Sequence, residues 1–180
     1  LVLGLFWCDE IKDWAFLVLN YISVYLSFPD LVDWIIDIST KAWGPEPHAR
    51  LADKVLIENK ASGKPLHLML KKHGIKSEVY NPSNNKGKGA GTGKQSRFAG
   101  ITDLIRDGRL WVGGGISKRY NDNITKYCQK LVQYPSLDPE DPHDEEIDCT
   151  SMVKDYARKH NFIDIPWENR PKWNPYEEYK

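Results

Sequence analysis

The chain has 180 residues, 25 of them basic and 25 acidic, for a formal net charge of zero. That length suits one domain with a core of its own, and the neutrality is at odds with a protein whose whole surface clamps a polyanion. Three cysteines, Cys8, Cys128 and Cys149, widely spaced and odd in number, argue against a disulfide framework and against a thiolate zinc site, and fit a reducing cytoplasm.

The opening run Leu1-Val2-Leu3-Gly4-Leu5-Phe6-Trp7 is too short for a membrane span and lacks the basic flank of a signal peptide. It reads as a strand beginning at the first residue, as expected of a chain cut from a longer one. A polar stretch, Asp9 to Asp13, separates it from a second run rich in β-branched and aromatic residues, Ala15 to Leu26, so the pair predicts a β-hairpin. Phe28-Pro29-Asp30 ends the strand. Leu31, Trp34, Ile35, Ile38 and Ala42 follow at helical spacing, up to Gly44-Pro45.

Val55-Leu56-Ile57 is a short apolar run of the kind buried in a sheet centre, and it closes on a lone acid, Glu58. Ser62-Gly63 opens a helix with Leu66, Met69, Leu70 and His73 on one face, ending at Gly74. Ser77 to Tyr80 predicts another strand. The loop from Ser83 to Gly93 holds four glycines and cannot bury a core. Beyond it come a helix marked by Phe98, Ile101, Leu104 and Ile105, an edge strand at Leu110-Trp111-Val112, and a helix marked by Tyr120, Ile124, Tyr127 and Leu131. A last helix runs from about Pro142 to His160, before an extended aromatic tail, 161–180, containing Trp167 and Trp173. Strands alternating with helices in this way describe an α/β domain with a mixed sheet over residues 1–160, and chemistry in such sheets sits at the carboxyl ends of the strands.

Charge is strongly polarised along the chain. Between Asn59 and Gly100 there are nine basic residues, Lys60, Lys64, Lys71, Lys72, Lys76, Lys86, Lys88, Lys94 and Arg97, against one acid, Glu78. Between Pro135 and Asp148 there are seven acids and neither lysine nor arginine. A sequence arranged like this can grip a polyanion with one segment and hold cations with another. Lys60, Lys86, Lys88, Lys94 and Arg97 are the candidate contacts for DNA phosphates.

A carboxylate closing an apolar strand is expensive to bury without a cation or hydrogen bonds, and the simplest partner for Glu58 is Lys60. In Asp141-Pro142-His143-Asp144, Asp141 suits an N-cap and Pro142 the first helical position. Asp144 then lies in the first turn, and Asp148 one turn later on the same face. Asp144, Glu145 and Asp148 thus point together, although acids in a first turn also complement the helix dipole for its own sake. His143 is a further candidate ligand or base, or simply a hydrogen-bonding group at the helix end. Oxygen ligands without imidazole or thiolate favour Mg²⁺ or Mn²⁺ over zinc. A pair of such ions, on Glu58, Asp144, Glu145 and Asp148, suits phosphodiester hydrolysis. The glycine-rich loop is not a nucleotide cradle: Gly93-Lys94 would close a P-loop, but position 88 is lysine where glycine is required and Gln95 replaces Ser or Thr.

Several of these pieces together resemble the C-terminal nuclease domain of the large terminase subunit of tailed phages. Val55-Leu56-Ile57-Glu58-Asn59-Lys60-Ala61-Ser62-Gly63, with Leu66 and Leu70 after it, is similar to the family's strand and helix around its second acid. Tyr80-Asn81-Pro82 with Lys86, Arg97-Phe98-Ala99-Gly100-Ile101 and Asp107-Gly108-Arg109-Leu110 resemble the segments that follow. Tyr134-Pro135 before His143-Asp144-Glu145-Glu146-Ile147-Asp148 resembles the closing motif, with Glu145 where the family usually has Asp. The resemblance covers roughly residues 1–160.

It implies an RNase H-like fold and a metal-dependent endonuclease that cuts concatemeric viral DNA during packaging in the host cell cytoplasm. Glu58 and Asp144 would be catalytic acids, with Glu145 and Asp148 as neighbouring metal ligands. Double-stranded DNA, the portal protein and the small terminase subunit would be partners, with Trp167 and Trp173 available for portal docking. The family's first acid belongs on a strand before the hairpin and is not found. Asp9, after an apolar strand, is the nearest stand-in, and without the first acid the chain alone is expected to be catalytically weak. Two other readings use the same residues: another RNase H-like nuclease, such as a transposase or junction resolvase, or a non-catalytic module binding DNA or the portal.

Overall fold

The structure, a computed structural model, describes residues 1–44, 46–60, 62–81, 94–113, 118–133 and 145–163. Its class is α/β, and the chain divides into two compact units, Leu1–Tyr21 with Gly89–Lys180, and Ile22–Lys88.

The first unit is built on a three-stranded mixed sheet. β1 (Val2–Cys8) and β2 (Asp13–Asn20) form the expected hairpin, in antiparallel register from Val2 opposite Asn20 to Cys8 opposite Asp13. Trp7 and Trp14 face each other next to its turn, edge to face with centroids 5.9 Å apart. The second strand stops at Asn20, well short of the expected Leu26. The Asn20 side-chain oxygen accepts the Tyr21 backbone N–H at 2.9 Å, taking up the donor that a further ladder step would need. On the other side of β2, β5 (Leu110–Val112) pairs in parallel, Phe16 opposite Leu110 and Val18 opposite Val112, and is an edge strand as expected.

One face of this sheet is covered by α3 (Lys94–Arg106), α4 (Lys118–Gln133) and α5 (Glu145–Lys159). Val18 and Tyr21 pack with Ile101 of α3, Ile124, Tyr127 and Leu131 of α4, and Ile147 of α5. A second cluster joins Phe16, Leu104, Ala157 and Ile163. At the hairpin turn Asp13 and Arg109, both buried, form an ion pair, with Asp13 also accepting the Trp14 N–H at 2.7 Å. A pair taken out of water in this way is tolerable only because hydrogen bonds satisfy it.

The second unit holds α1 (Phe28–Ser39), β3 (Val55–Glu58), α2 (Gly63–Lys72) and β4 (Ser77–Tyr80). Ser27 caps α1: its hydroxyl donates to the Asp30 carboxylate at 2.6 Å and accepts the Asp30 N–H. α1 presents a face centred on Val32, with Leu31, Ile35 and Ile36, to Ile57, Leu66 and Leu70. Leu31 and Ile35 of the expected Leu31, Trp34, Ile35, Ile38 and Ala42 belong to this face, while Val32 and Ile36 stand in it in place of Trp34 and Ile38, because the helix is apolar around much of its circumference and the packing partner selects the side. β3 and β4 pair in parallel, Val55 opposite Ser77 through Glu58 opposite Tyr80. α2 buries Leu66 and Leu70, whereas His73 caps the helix and is exposed. Gly74 then takes φ +73°, the left-handed conformation that favours glycine at a helix end. Among the described residues no helix is long and apolar enough to cross a membrane. The aromatic tail beyond residue 163 lies outside the described residues.

Candidate functional site

Glu58 is the last residue of β3, at the carboxyl end of a parallel pair. The ladder runs one step past it, with the Asn59 N–H donating to the Tyr80 carbonyl at 2.8 Å and the Asn59 amide to the Asn81 side-chain oxygen. The chain then turns back on itself: Lys60 N–H donates to Glu58 O, and Gly63 N–H to Lys60 O, both at 2.8 Å. A Cβ at Gly63 would lie 2.3 Å from the Glu58 carbonyl oxygen, so only glycine lets α2 begin this close to the strand end. The Glu58 carboxylate is half-buried and lies 2.8 Å from the Lys60 ammonium, which is 70 % exposed. Strand, turn and helix therefore fix the backbone of Glu58 firmly, while its charge partner is a solvated side chain.

The acidic turn of α5 is divided by the helix into two faces. Glu145 is exposed and Asp148 half-buried on one side, three residues apart and therefore neighbours on the helix surface. Glu146 points the other way, into the core: its side chain is 1 % exposed and lies 2.7 Å from the Lys130 ammonium of α4. The Tyr21 hydroxyl, at the end of the β2 segment, donates to the same carboxylate oxygen, Oε1. One turn on, Thr150 Oγ1 donates to the Glu146 carbonyl at 2.6 Å and shares a 2.8 Å hydrogen bond with the Tyr127 hydroxyl. Burial, aided by the Glu146 hydrogen bond and charge, pushes the Tyr21 phenol up to about 12. Burial also drives the Tyr127 phenol well above its ordinary range. For Lys130 burial works downward, but the hydrogen bond and charge of Glu146 outweigh it and the ammonium is strengthened. Glu146 Oε2 is buried with no hydrogen-bond partner among the described residues. The buried stripe of Glu146, Ile147, Thr150, Ser151, Lys154 and Ala157 thus sets the roll of α5, turning Glu145 to solvent and Asp148 toward Arg97 of α3.

α3 and α5 ascend together. Arg97 pairs with Asp148, Gly100 receives the end of Lys154, and Leu104 packs with Ala157, so the two helices run parallel with their N-termini at the same end. Gly100 makes the close approach possible: a Cβ there would sit 2.1 Å from Lys154 Nζ. The first turn of α3, where Lys94 and Arg97 lie in the sequence, is thereby set beside the acidic turn of α5. Because Tyr21 follows β2 directly and binds Glu146, this end of the unit is also the carboxyl end of the parallel pair β2 and β5.

Of the residues singled out in the sequence, the structure brings Arg97 onto Asp148, Lys60 onto Glu58, and Glu145 beside Asp148. Glu58 belongs to one unit and Glu145 and Asp148 to the other. Asp144, His143, Lys86 and Lys88 lie outside the described residues, as does the side chain of Lys94. Carboxylate oxygens are the donor type that suits a hard divalent cation, and within one unit the described residues offer Glu145 and Asp148. Among the described residues no three His, Cys, Asp or Glu side chains gather in a way that would hold a metal ion.

The residues that sequence reasoning overlooked are Tyr21, Lys130 and the inward role of Glu146. A signal existed for the last: Glu146 precedes Ile147 and lies one turn before Thr150, on the apolar side of the helix wheel. Comparisons with protein-family models, with curated proteins and with solved structures found no match.

Proposed function

We propose that the chain is the nuclease domain of a tailed-phage terminase large subunit, a metal-dependent DNA endonuclease of RNase H-like type that cleaves concatemeric DNA during packaging. The observation that carries this reading is the contact of Arg97 with Asp148. A basic residue suited to phosphate and an acid suited to a metal ion, remote in sequence, sit side by side where the carboxyl ends of parallel strands lie.

In this reading Glu58 and Asp144 are the catalytic acids and, with Glu145 and Asp148, hold two Mg²⁺ or Mn²⁺ ions. The ions supply charge to polarise the phosphodiester and to stabilise the leaving oxygen. The protein's own side chains do the rest. Lys60, Lys86, Lys88, Lys94 and Arg97 neutralise backbone phosphates and hold the duplex. The tight turn at Gly63 fixes the Glu58 backbone, and the buried Glu146 fixes the roll of α5, so that the strand and the helix bearing the acids are held in place. The portal protein and small terminase subunit are the partners that accompany such a domain.

A second reading, a non-catalytic module that binds DNA or the portal, is favoured by the engagement of Asp148 and Glu146 with protein cations. Mn²⁺ titration and nicking of supercoiled plasmid separate the two. The nuclease reading expects Mn²⁺ binding below millimolar concentration and nicking that falls at least about tenfold in Glu58→Ala and Asp144→Ala, a loss of about 1.4 kcal/mol in barrier terms. Absence of Mn²⁺ binding, or nicking undiminished in both variants, overturns it.

A further inference from the structure

Near the hairpin turn the covered face of the three-stranded sheet is left open. Phe16 is buried under Leu104, Ala157 and Ile163, and Leu5 lies directly opposite it on β1. Trp14 and its cross-strand partner Trp7 stand two residues nearer the turn, on the same face. Leu5, Trp7 and Trp14 are 36 %, 50 % and 41 % exposed, a contiguous apolar surface of the kind that marks an interaction site. We propose that this surface is a seat for the chain's own segment beyond Ile163, with Ile165 and Trp167 packed on Leu5, Trp7 and Trp14 as a strap. The proposal stands apart from the nuclease reading, and it takes Trp167 out of the residues offered to a portal.

Direction, reach and pattern point to this occupant rather than to a second copy or another protein. α5 begins beside Tyr21, which bonds Glu146, and ends beside Phe16, where Ala157 packs, so it runs toward the turn and delivers the chain there. Same-face neighbours on a strand are about 7 Å apart, which sets the distance from Phe16 to Trp14. Four residues of extended chain, from the buried Ile163 to Trp167, span up to about 13 Å. Phe162 is 48 % exposed and Ile163 only 5 %. In the sequence, Asp164-Ile165-Pro166-Trp167 carries that alternation on, with Ile165 and Trp167 on the side of Ile163 and Asp164 and Pro166 on the other. Pro166 disfavours a helical Ile165 and brings no N–H, so the segment suits an extended strap held by its side chains rather than a further rung of the sheet.

The test uses the full 180-residue chain. Nuclear Overhauser contacts are expected between the Trp167 indole, assigned with Trp167→Phe, and the ring of Trp7 or Trp14. In urea denaturation Trp167→Ala is expected to lower the folding equilibrium constant on the order of tenfold. Combined with Trp14→Ala, the loss is expected to fall short of the product of the two single losses by roughly two- to tenfold. Leu5→Ala with Trp167→Ala gives a second cycle of the same sign, which decides the matter if Trp14→Ala does not fold. Sedimentation is expected to give one monomer mass for the wild type and every variant. Single losses that simply multiply in the cycles that can be measured, or no contact from the Trp167 ring to the hairpin, overturn the strap. A wild-type dimer that dissociates in Trp14→Ala or Leu5→Ala makes a second copy the cover and overturns it too. None of these readouts involves a metal ion or DNA, so the nuclease reading stands or falls by its own experiment.

Discussion

Glu58 and Asp148 are both acids with a basic neighbour, yet they are held in contrasting ways. Glu58 is fixed through its backbone, by the β3 ladder and the Gly63 turn, while its partner Lys60 is largely in water. Asp148 sits on a helix whose roll is set by the buried Glu146, and its partner Arg97 is itself shielded. An exposed lysine contributes little to stability and is readily displaced, whereas a shielded arginine must be exchanged for another ligand. Two acids of similar chemistry therefore sit in contrasting charge environments, one paired with a solvated lysine and the other guarded by a shielded arginine.

The largest effect is expected on the guarded side. Glu146→Ala removes a core carboxylate and leaves Lys130 and the Tyr21 hydroxyl without their partner, a change expected to cost about 3 to 5 kcal/mol in urea denaturation. A loss below about 1 kcal/mol would mean that α5 is not anchored through Glu146. On the open side the comparable blow is to the backbone. Gly63→Ala forces a methyl against the Glu58 carbonyl and is expected to cost about 1 to 3 kcal/mol.

Tyr21→Phe is a gentler probe of the anchor, removing the hydroxyl that donates to Glu146 and accepts from Lys130 at 3.4 Å, and is expected to cost about 1 to 2 kcal/mol. It also has a pH signature. The Tyr21 phenol is raised from 10.0 to about 12 in the folded protein, so its contribution is fully present below pH 10 and is lost as pH rises toward about 12. Lys130, also raised, acts in the same direction. Stability measured across that window should fall with pH, and less steeply in Tyr21→Phe. Identical slopes would contradict the Tyr21 to Glu146 bond. The smallest effect is expected at Lys60→Ala, a loss of about 0 to 1 kcal/mol, because its ion pair with Glu58 is mostly solvated.

The elements around both acids were legible in the sequence because local chemistry determines them. Gly63 and Gly74 bracket α2, the apolar run before Glu58 is β3, and the 3.6-residue spacing of Ile124, Tyr127 and Leu131 is α4. Less legible were features set by partners remote in the chain. Which side of α1 is buried depends on Ile57, Leu66 and Leu70, all later in the chain. The helix wheel places Glu146 inward, but its partners Lys130 and Tyr21 are coupled to it by no local pattern. Charge counting put Arg97 and Asp148 into separate patches, and only the parallel packing of α3 on α5 makes them one ion pair.

The proposed nuclease role requires that Glu58 and the acidic segment 144–148 each take part in binding metal ions. The direct measurement is Mn²⁺ affinity for the wild type, Glu58→Gln, Asp144→Asn and the double variant. That role predicts a loss on the order of tenfold or more, about 1.4 kcal/mol, for each single change and a larger loss in the double variant. Mn²⁺ affinity left unchanged by Glu58→Gln would contradict it.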